Sequence, residues 1–161
     1  MKDIFVAGVG MTKFGRHFDH SYKELAREAI EQALTDAGAS KADVKQAFFA
    51  SCVIGLMHDQ HMIPGHVALR SMGFEGIPIF NLEGACASAS TALHLAENAI
   101  RSGSCDIAIA VGVEKMNSPD KAKMFSAFDS AWDVETVSDN RDILLKMGEG
   151  VECPEGSRSP R

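Results

Sequence analysis

Four short apolar runs recur along this chain: Ile4-Phe-Val-Ala-Gly-Val-Gly, Ala47-Phe-Phe-Ala-Ser-Cys-Val-Ile, Ile77-Pro-Ile-Phe-Asn-Leu and Asp106-Ile-Ala-Ile-Ala-Val-Gly-Val. A run that is apolar on both faces reads as a strand covered by helices on both sides of a sheet. The segments between the runs carry the helical signals. Ser21-Tyr-Lys-Glu24 has the spacing of a capping box, in which a side chain and a backbone amide satisfy each other's orphan groups at a helix start. Leu25, Ala26, Ala29, Ile30, Ala33, Leu34 and Ala37 follow at three- and four-residue spacing, and Gly38 is placed to end that helix.

Further along, Ser40 with Asp43 caps one more turn, and Gly55 to Gly65 reads as a polar loop. Pro64 suits the first turn of a short helix through about Met72. After the Ile77–Leu82 run, Ala89, Ala92, Leu93, Ala96 and Ile100 form a narrow stripe that Gly103 closes. Strands alternating with helices in this order predict right-handed crossovers and an α/β fold, a mainly parallel layered sheet with helices on both faces. Beyond Glu114 the pattern loosens into loop-rich sequence with a short helix near Arg141–Met147. The 161 residues, 45% of them hydrophobic, suffice for one domain with its own core.

The residue that the pattern presents most pointedly is Cys86. It stands where the third run turns into a helix, flanked by Gly84, Ala85, Ala87 and Ser88. Small neighbours permit a sharp strand-to-helix turn and leave open space, as in the nucleophile elbows of other folds, although Gly-x-Ser-x-Gly is absent. A helix start favours negative charge and hence a thiolate, and the Cys86 N–H is positioned to serve as an oxyanion donor. On residues alone Cys86 is either a nucleophile or a small buried hydrophobe, the commoner fate of a free cysteine.

Other signals are weaker. Gly8-Val-Gly10 lacks the third glycine and the immediate helix of a dinucleotide loop. His58, His61, His66 and Cys52 have zinc-compatible chemistry without paired metal spacing, so no metal is expected. Cys52, Cys86, Cys105 and Cys153 form no Cys-x-x-Cys pair, and reduced thiols are the expectation, with Cys52 and Cys105 in packing roles. Arg158 and Arg161 belong to a solvated tail. A net charge of -6, from 16 basic and 22 acidic residues, argues against a general nucleic-acid binder. The first apolar run is too short and too glycine-broken for a signal peptide, and no segment has the length of a membrane span, which gives a cytoplasmic expectation.

Three motifs in order, Val6-Ala-Gly-Val-Gly-Met-Thr-Lys-Phe, Gly76-Ile-Pro-Ile-Phe-Asn-Leu-Glu-Gly-Ala-Cys-Ala-Ser-Ala and Asp106-Ile-Ala-Ile-Ala-Val-Gly-Val-Glu-Lys-Met, resemble the thiolase superfamily. They are most similar to sterol carrier protein x-type thiolases and bacterial acetyl-CoA acetyltransferases, and the likeness extends to about Met116. The resemblance implies an acyl-CoA acyltransferase in which Cys86 is acylated during thiolytic cleavage of a 3-ketoacyl-CoA, or in the reverse Claisen condensation. Coenzyme A is then a substrate, with no bound cofactor. It also implies two similar layered halves and a tight dimer with nucleophile strands side by side.

Within that likeness, residues 1–116 correspond to the nucleophile-bearing part of the N-terminal domain and 117–161 to the start of a loop region. The family's activating histidine, its Gly-His motif and its Cys-x-Gly cysteine have no counterpart here, and His94, His17 and His20 are poorly placed to act as base. The first half is thus incomplete, before its final sheet strand, and the expectation is a chain inactive by itself: a fragment, or a subunit whose missing half comes from a partner. The competing readings are a ketoacyl synthase-type condensing enzyme, which Glu114-Lys-Met116 disfavours, a non-catalytic companion subunit, and carbon–carbon lyase chemistry, which Cys86 disfavours.

Overall fold

A computed structural model describes residues 3–151. Cys153, Arg158 and Arg161 lie outside the described residues. The chain forms two compact units that divide between Ala127 and Phe128.

The first unit is built on three parallel strands, β1 (Gln46–Ala50), β2 (Ile79–Leu82) and β3 (Ala108–Gly112), in the order β2-β1-β3. β1 is central, and its register pairs Ala50 with both Leu82 and Gly112. Alternation along β1 sends Ala47 and Phe49 to one face and Phe48 and Ala50 to the other. Two helices, α1 (Tyr22–Asp36) and α3 (Pro64–Ser71), cover the first face, where Leu25, Ile30, Leu69, Phe49 and Val111 share one core. The second face receives α4 (Ser88–Arg101), through Ala92 and Ala96. The expected α/β architecture with helices on both faces is therefore present, although several of the local expectations need correction.

The first apolar run is not a strand: among the described residues, nothing pairs with the outer side of β3. Its amides are satisfied by side chains of α1 instead. Val9 N–H donates to Asp36 Oδ2 at 2.9 Å and Met11 N–H to Gln32 Oε1 at 3.0 Å. Gly8 and Gly10 are glycines because this segment lies directly on the helix. A Cβ on Gly8 would sit 2.3 Å from the Ala33 carbonyl oxygen, and one on Gly10 2.1 Å from that of Ala29. Phe5, Val6 and Val9 are left exposed. Apolar composition measured what the segment would bury with a neighbour, and it has no strand neighbour here.

β3 is buried on one face only. Ile109 and Val111 are in the core, whereas Ala110 and Gly112 are exposed on the other side. The stripe on α4 is also rotated from its expected place: Leu93 is 58% exposed, and the packing residues are Ala92, Leu95, Ala96 and Ala99. The segment after β1, expected to be loop, contains a short helix α2 (Ile54–His58) before the turn at Asp59.

The capping signals formed as their chemistry requires. Glu24 N–H donates to Ser21 Oγ at 3.2 Å while Ser21 N–H donates to Glu24 Oε2 at 2.7 Å, and Gly38 follows α1 with φ of 61°. Past β3, α5 (Lys121–Asp129) was not visible in the residue pattern. In the second unit, α6 (Val137–Met147) starts four residues earlier than expected and buries no residue.

Gly65 ties these layers together beside the strand ends. Its amide donates to Asn81 Oδ1 at 2.7 Å, and a Cβ there would lie 2.5 Å from Phe49 Cβ and 2.8 Å from Asn81 Oδ1. Gly65→Ala is expected to lower unfolding free energy by about 1–3 kcal/mol through overpacking, measured by urea denaturation. A variant as stable as the wild type would contradict this close approach.

Candidate active site

In open α/β sheets, functional groups gather at the carboxyl ends of parallel strands. Here those ends are the turn after β1, the corner after β2 and the segment after β3. The common register of Ala50 with Leu82 and Gly112 puts all three at one level. Two backbone bonds extend that level past the strands, with Ser51 N–H donating to Leu82 O at 3.1 Å and Val113 N–H to Ala50 O at 3.1 Å.

The corner after β2 carries Cys86. A 3₁₀ turn, Ala85–Ala87, separates the strand from α4, and Cys86 is its exposed central residue. Ala85 has φ of 49°, the left-handed region that a residue with a Cβ enters at a cost on the order of 1 kcal/mol. Its conformation is held by three contacts. Ala85 N–H donates to Glu83 Oε1 at 2.6 Å, Ala87 N–H to Gly84 O at 3.0 Å, and the Ser88 hydroxyl donates to Ala85 O at 2.7 Å.

Ser88 also accepts from Gly84 N–H at 2.9 Å, so one buried hydroxyl clasps both sides of the turn. Gly84 itself is extended, with φ of -167°. These bonds use the amides of Gly84, Ala85 and Ala87, and none of them uses the Cys86 amide. Gly84, Ala85, Ala87 and Ser88 thus form the turn around the thiol, Ser88 being its buried member and the other three exposed. A Cβ on Gly84 would be in ordinary contact, 3.7 Å from Thr91 Oγ1.

Residue patterns gave neither Glu83 nor Glu114 a part in the site. Glu83 reaches forward to the strained Ala85, and Glu114 reaches across to the amides of Cys52 and Val53. Cys52 is half-buried beside Val53, Met57 and Met116. Burial and then the adjacent Glu114 carboxylate push its thiol up to about 11, with Glu83 and Cys86 adding smaller effects in the same direction. Register arithmetic would have found this cluster, since residues two past a parallel pair, 52 and 114, must lie side by side.

Four of the six histidines are engaged elsewhere. His58 Nε2 lies 2.9 Å from Lys115 O, His66 Nδ1 lies 2.8 Å from Asn81 Nδ2, His94 pairs with Asn98, and His17 with Lys13 O. None of these bonds reaches Cys86. Among the described residues, no group of three potential ligands is placed to hold a metal ion, and no helix is long and apolar enough to cross a membrane. The arrangement offers an exposed thiol on a braced corner, with an unengaged side toward solvent.

Ser88→Ala should leave the Gly84 N–H and Ala85 C=O without their shared partner. The expected loss is about 1–3 kcal/mol of stability, read by urea denaturation, with faster hydrogen exchange at the Gly84 amide. Unchanged exchange there would contradict the clasp.

The family described as "Thiolase, N-terminal domain" matches residues 4–150. "Sterol carrier protein 2" of Gallus gallus is 38% identical over 125 residues, 76% of this chain and 22% of that protein. "Acetyl-CoA acetyltransferase" of Methanothermobacter thermautotrophicus is 37% identical over 138 residues, 84% of this chain and 36% of that protein. The chain thus spans well under half the length of these relatives. Among solved structures, 3-oxoacyl-[acyl-carrier-protein] synthase III from Aquifex aeolicus VF5 superposes with a TM-score of 0.57 at 20% identity, over 69% of this chain and 35% of that one. That likeness shows a shared fold.

Proposed function

The chain belongs to the thiolase family, whose N-terminal domain it carries, and on that premise we propose that Cys86 is the acyl acceptor of an acyl-CoA acyltransferase. The observation that carries the reading is the exposed Cys86 thiol on a corner braced by Ser88 and Glu83, at the carboxyl end of a parallel sheet. A buried packing thiol would need no such bracing.

In this reading the Cys86 thiolate attacks the ketone carbon of a 3-ketoacyl-CoA, forming a C–S bond and a tetrahedral oxyanion. Collapse of that oxyanion breaks the bond between the ketone carbon and the α-carbon, and the electron pair leaves with acetyl-CoA as its enolate, which takes up a proton. The thiolate of free coenzyme A then attacks the acyl–Cys86 thioester and releases the Cys86 sulfur. Splitting the transfer through an acyl-enzyme replaces one difficult step by two easier ones. Run backwards, the same steps form a carbon–carbon bond by Claisen condensation. Free coenzyme A is a substrate of thiolysis, leaving as an acyl thioester, and a product of condensation, with no resident cofactor.

Acid–base groups for thiol activation and for the α-proton come, in this proposal, from a region of the working enzyme other than these 161 residues, because the histidine bonds described above lead away from Cys86. The assembly we propose is a dimer, or a complex with a partner chain supplying that region. β2 supports a dimer in which two copies of this strand lie side by side. Among the described residues it pairs only with β1, and Phe80, stacked on Phe48 at 5.0 Å, is 45% exposed.

Incubating the purified chain with acetyl-CoA should acetylate the Cys86 peptide slowly and leave Cys52 and Cys105 unmodified, as read by peptide mass spectrometry. Thiolysis of a 3-ketoacyl-CoA should fall roughly two to four orders of magnitude below that of a complete thiolase, the usual share of acid–base catalysis. Ordinary turnover by this chain would overturn the missing-base proposal, and acetylation that persists in Cys86→Ala would overturn the assignment of the acceptor.

A further inference from the structure

The segment Glu114-Lys115-Met116 follows β3, and all three of its residues make contacts around the turn after β1. The Cys52 amide donates to Glu114 Oε1, and the Val53 amide donates to both carboxylate oxygens at 3.3 and 3.4 Å. The carbonyl of Lys115 lies 2.9 Å from His58 Nε2, at the end of α2. Met116 packs with Cys52 against Val53, Met57 and Ala127. A carboxylate accepting backbone N–H bonds is a strong, charge-assisted fixture, and this one joins residues 61 and 62 positions apart in sequence.

We propose that Glu114 is a positioning residue at the carboxyl end of the sheet: its carboxylate fastens Cys52 and Val53, in the turn after β1, to the end of β3, and its charge beside Cys52 keeps that thiol from sharing the nucleophile's part assigned to Cys86. The functional half of this inference rests on the reading of Cys86 as acyl acceptor. A second thiolate beside Cys86 would compete for the same acyl carbon, since thiolates rather than thiols are the nucleophiles.

The groups facing Cys52 all act toward the thiol form. Burial comes first, then the Glu114 charge and the bond the thiol donates to it, then Glu83 from the end of β2 and Cys86 from the 3₁₀ turn. The cations on the neighbouring elements are otherwise committed. Lys123 of α5 pairs with Asp59 at 3.6 Å, Lys115 Nζ lies 3.4 Å from Phe18 O, and His58 is held by the Lys115 carbonyl.

The test is iodoacetamide alkylation of the full chain across a pH series, read separately for the Cys52 and Cys86 peptides. In the wild type the Cys52 labelling rate should still be climbing with pH through the mildly alkaline range, toward a midpoint of about 11. Glu114→Gln keeps the shape and removes the charge, and should raise Cys52 labelling in the mildly alkaline range roughly tenfold, the thiolate gain of about one pKa unit. Glu114→Asp, which restores the charge, should return the profile most of the way. Glu83→Gln should shift it less than Glu114→Gln.

An unmoved Cys52 profile in folded Glu114→Gln, or a larger shift in Glu83→Gln, would overturn the role of Glu114. Should Glu114→Gln fail to fold, the wild-type profile decides: Cys52 labelling as fast as Cys86 near neutral pH overturns the inference. Failure of wild-type Cys86 to accept acetyl from acetyl-CoA strikes only the acceptor reading, because the Cys52 profile is measured independently of it.

Discussion

β1 is hydrogen-bonded on both sides, and that double pairing is what brings the functional groups of this chain to one place. With Ala50 in register with Leu82 on one side and Gly112 on the other, the three strand ends stand in a row about 4.8 Å apart from neighbour to neighbour. Cys52, Glu83 and Glu114 each come within a few residues of those ends. A slip of one residue in either pairing would turn Phe48 and Phe49 to the wrong faces and separate the two cores they anchor, α1 and α3 on one side and α4 on the other. The site therefore inherits its geometry from burial of side chains that never touch it.

Small residues then decide how near the helices come. A Cβ on Gly112 would meet the Ala89 Cβ at 3.0 Å, so the first turn of α4 is seated against the end of β3. The small-residue stripe of α4 was legible as a close-packing surface, but its direction was not. Ala92 and Ala96 face the sheet, while Leu93 turns to solvent, because the 3₁₀ turn before Ser88 sets the helical phase and periodicity alone carries no phase information. The same turn moves Cys86 ahead of the helix proper, to the middle of the corner.

What sequence revealed best was whatever depended on local chemistry: the Ser21–Glu24 box, Pro64 opening α3, Gly38 following α1, and three of four strands. The fourth apolar run exposes the limit of that reasoning. Ile4 to Gly10 has the composition of a two-sided strand, yet pairing is a property of two segments, and the described residues contain no strand beside it. Its glycines are contact points for the α1 backbone. Glu114 was hidden for a related reason. As a residue following a strand it looked like a family marker, and only the register of β3 on β1 shows which amides it must meet.

The corner itself follows from a balance of local costs. Ala85 pays on the order of 1 kcal/mol to hold a positive φ, and the chain could escape by opening the turn. Opening would break the two Ser88 bonds and the Glu83 bond to Ala85, each worth about 0.5–1.5 kcal/mol net, and would pull the buried Ser88 hydroxyl from its partners. The restraints together exceed the strain, so the left-handed residue is stable in place. What that balance leaves over is a cysteine whose backbone neighbours are all occupied and whose side chain is exposed. A thiol so placed meets an incoming carbonyl without first paying to reorganise the turn beneath it, which is the condition that preorganised nucleophilic sites share.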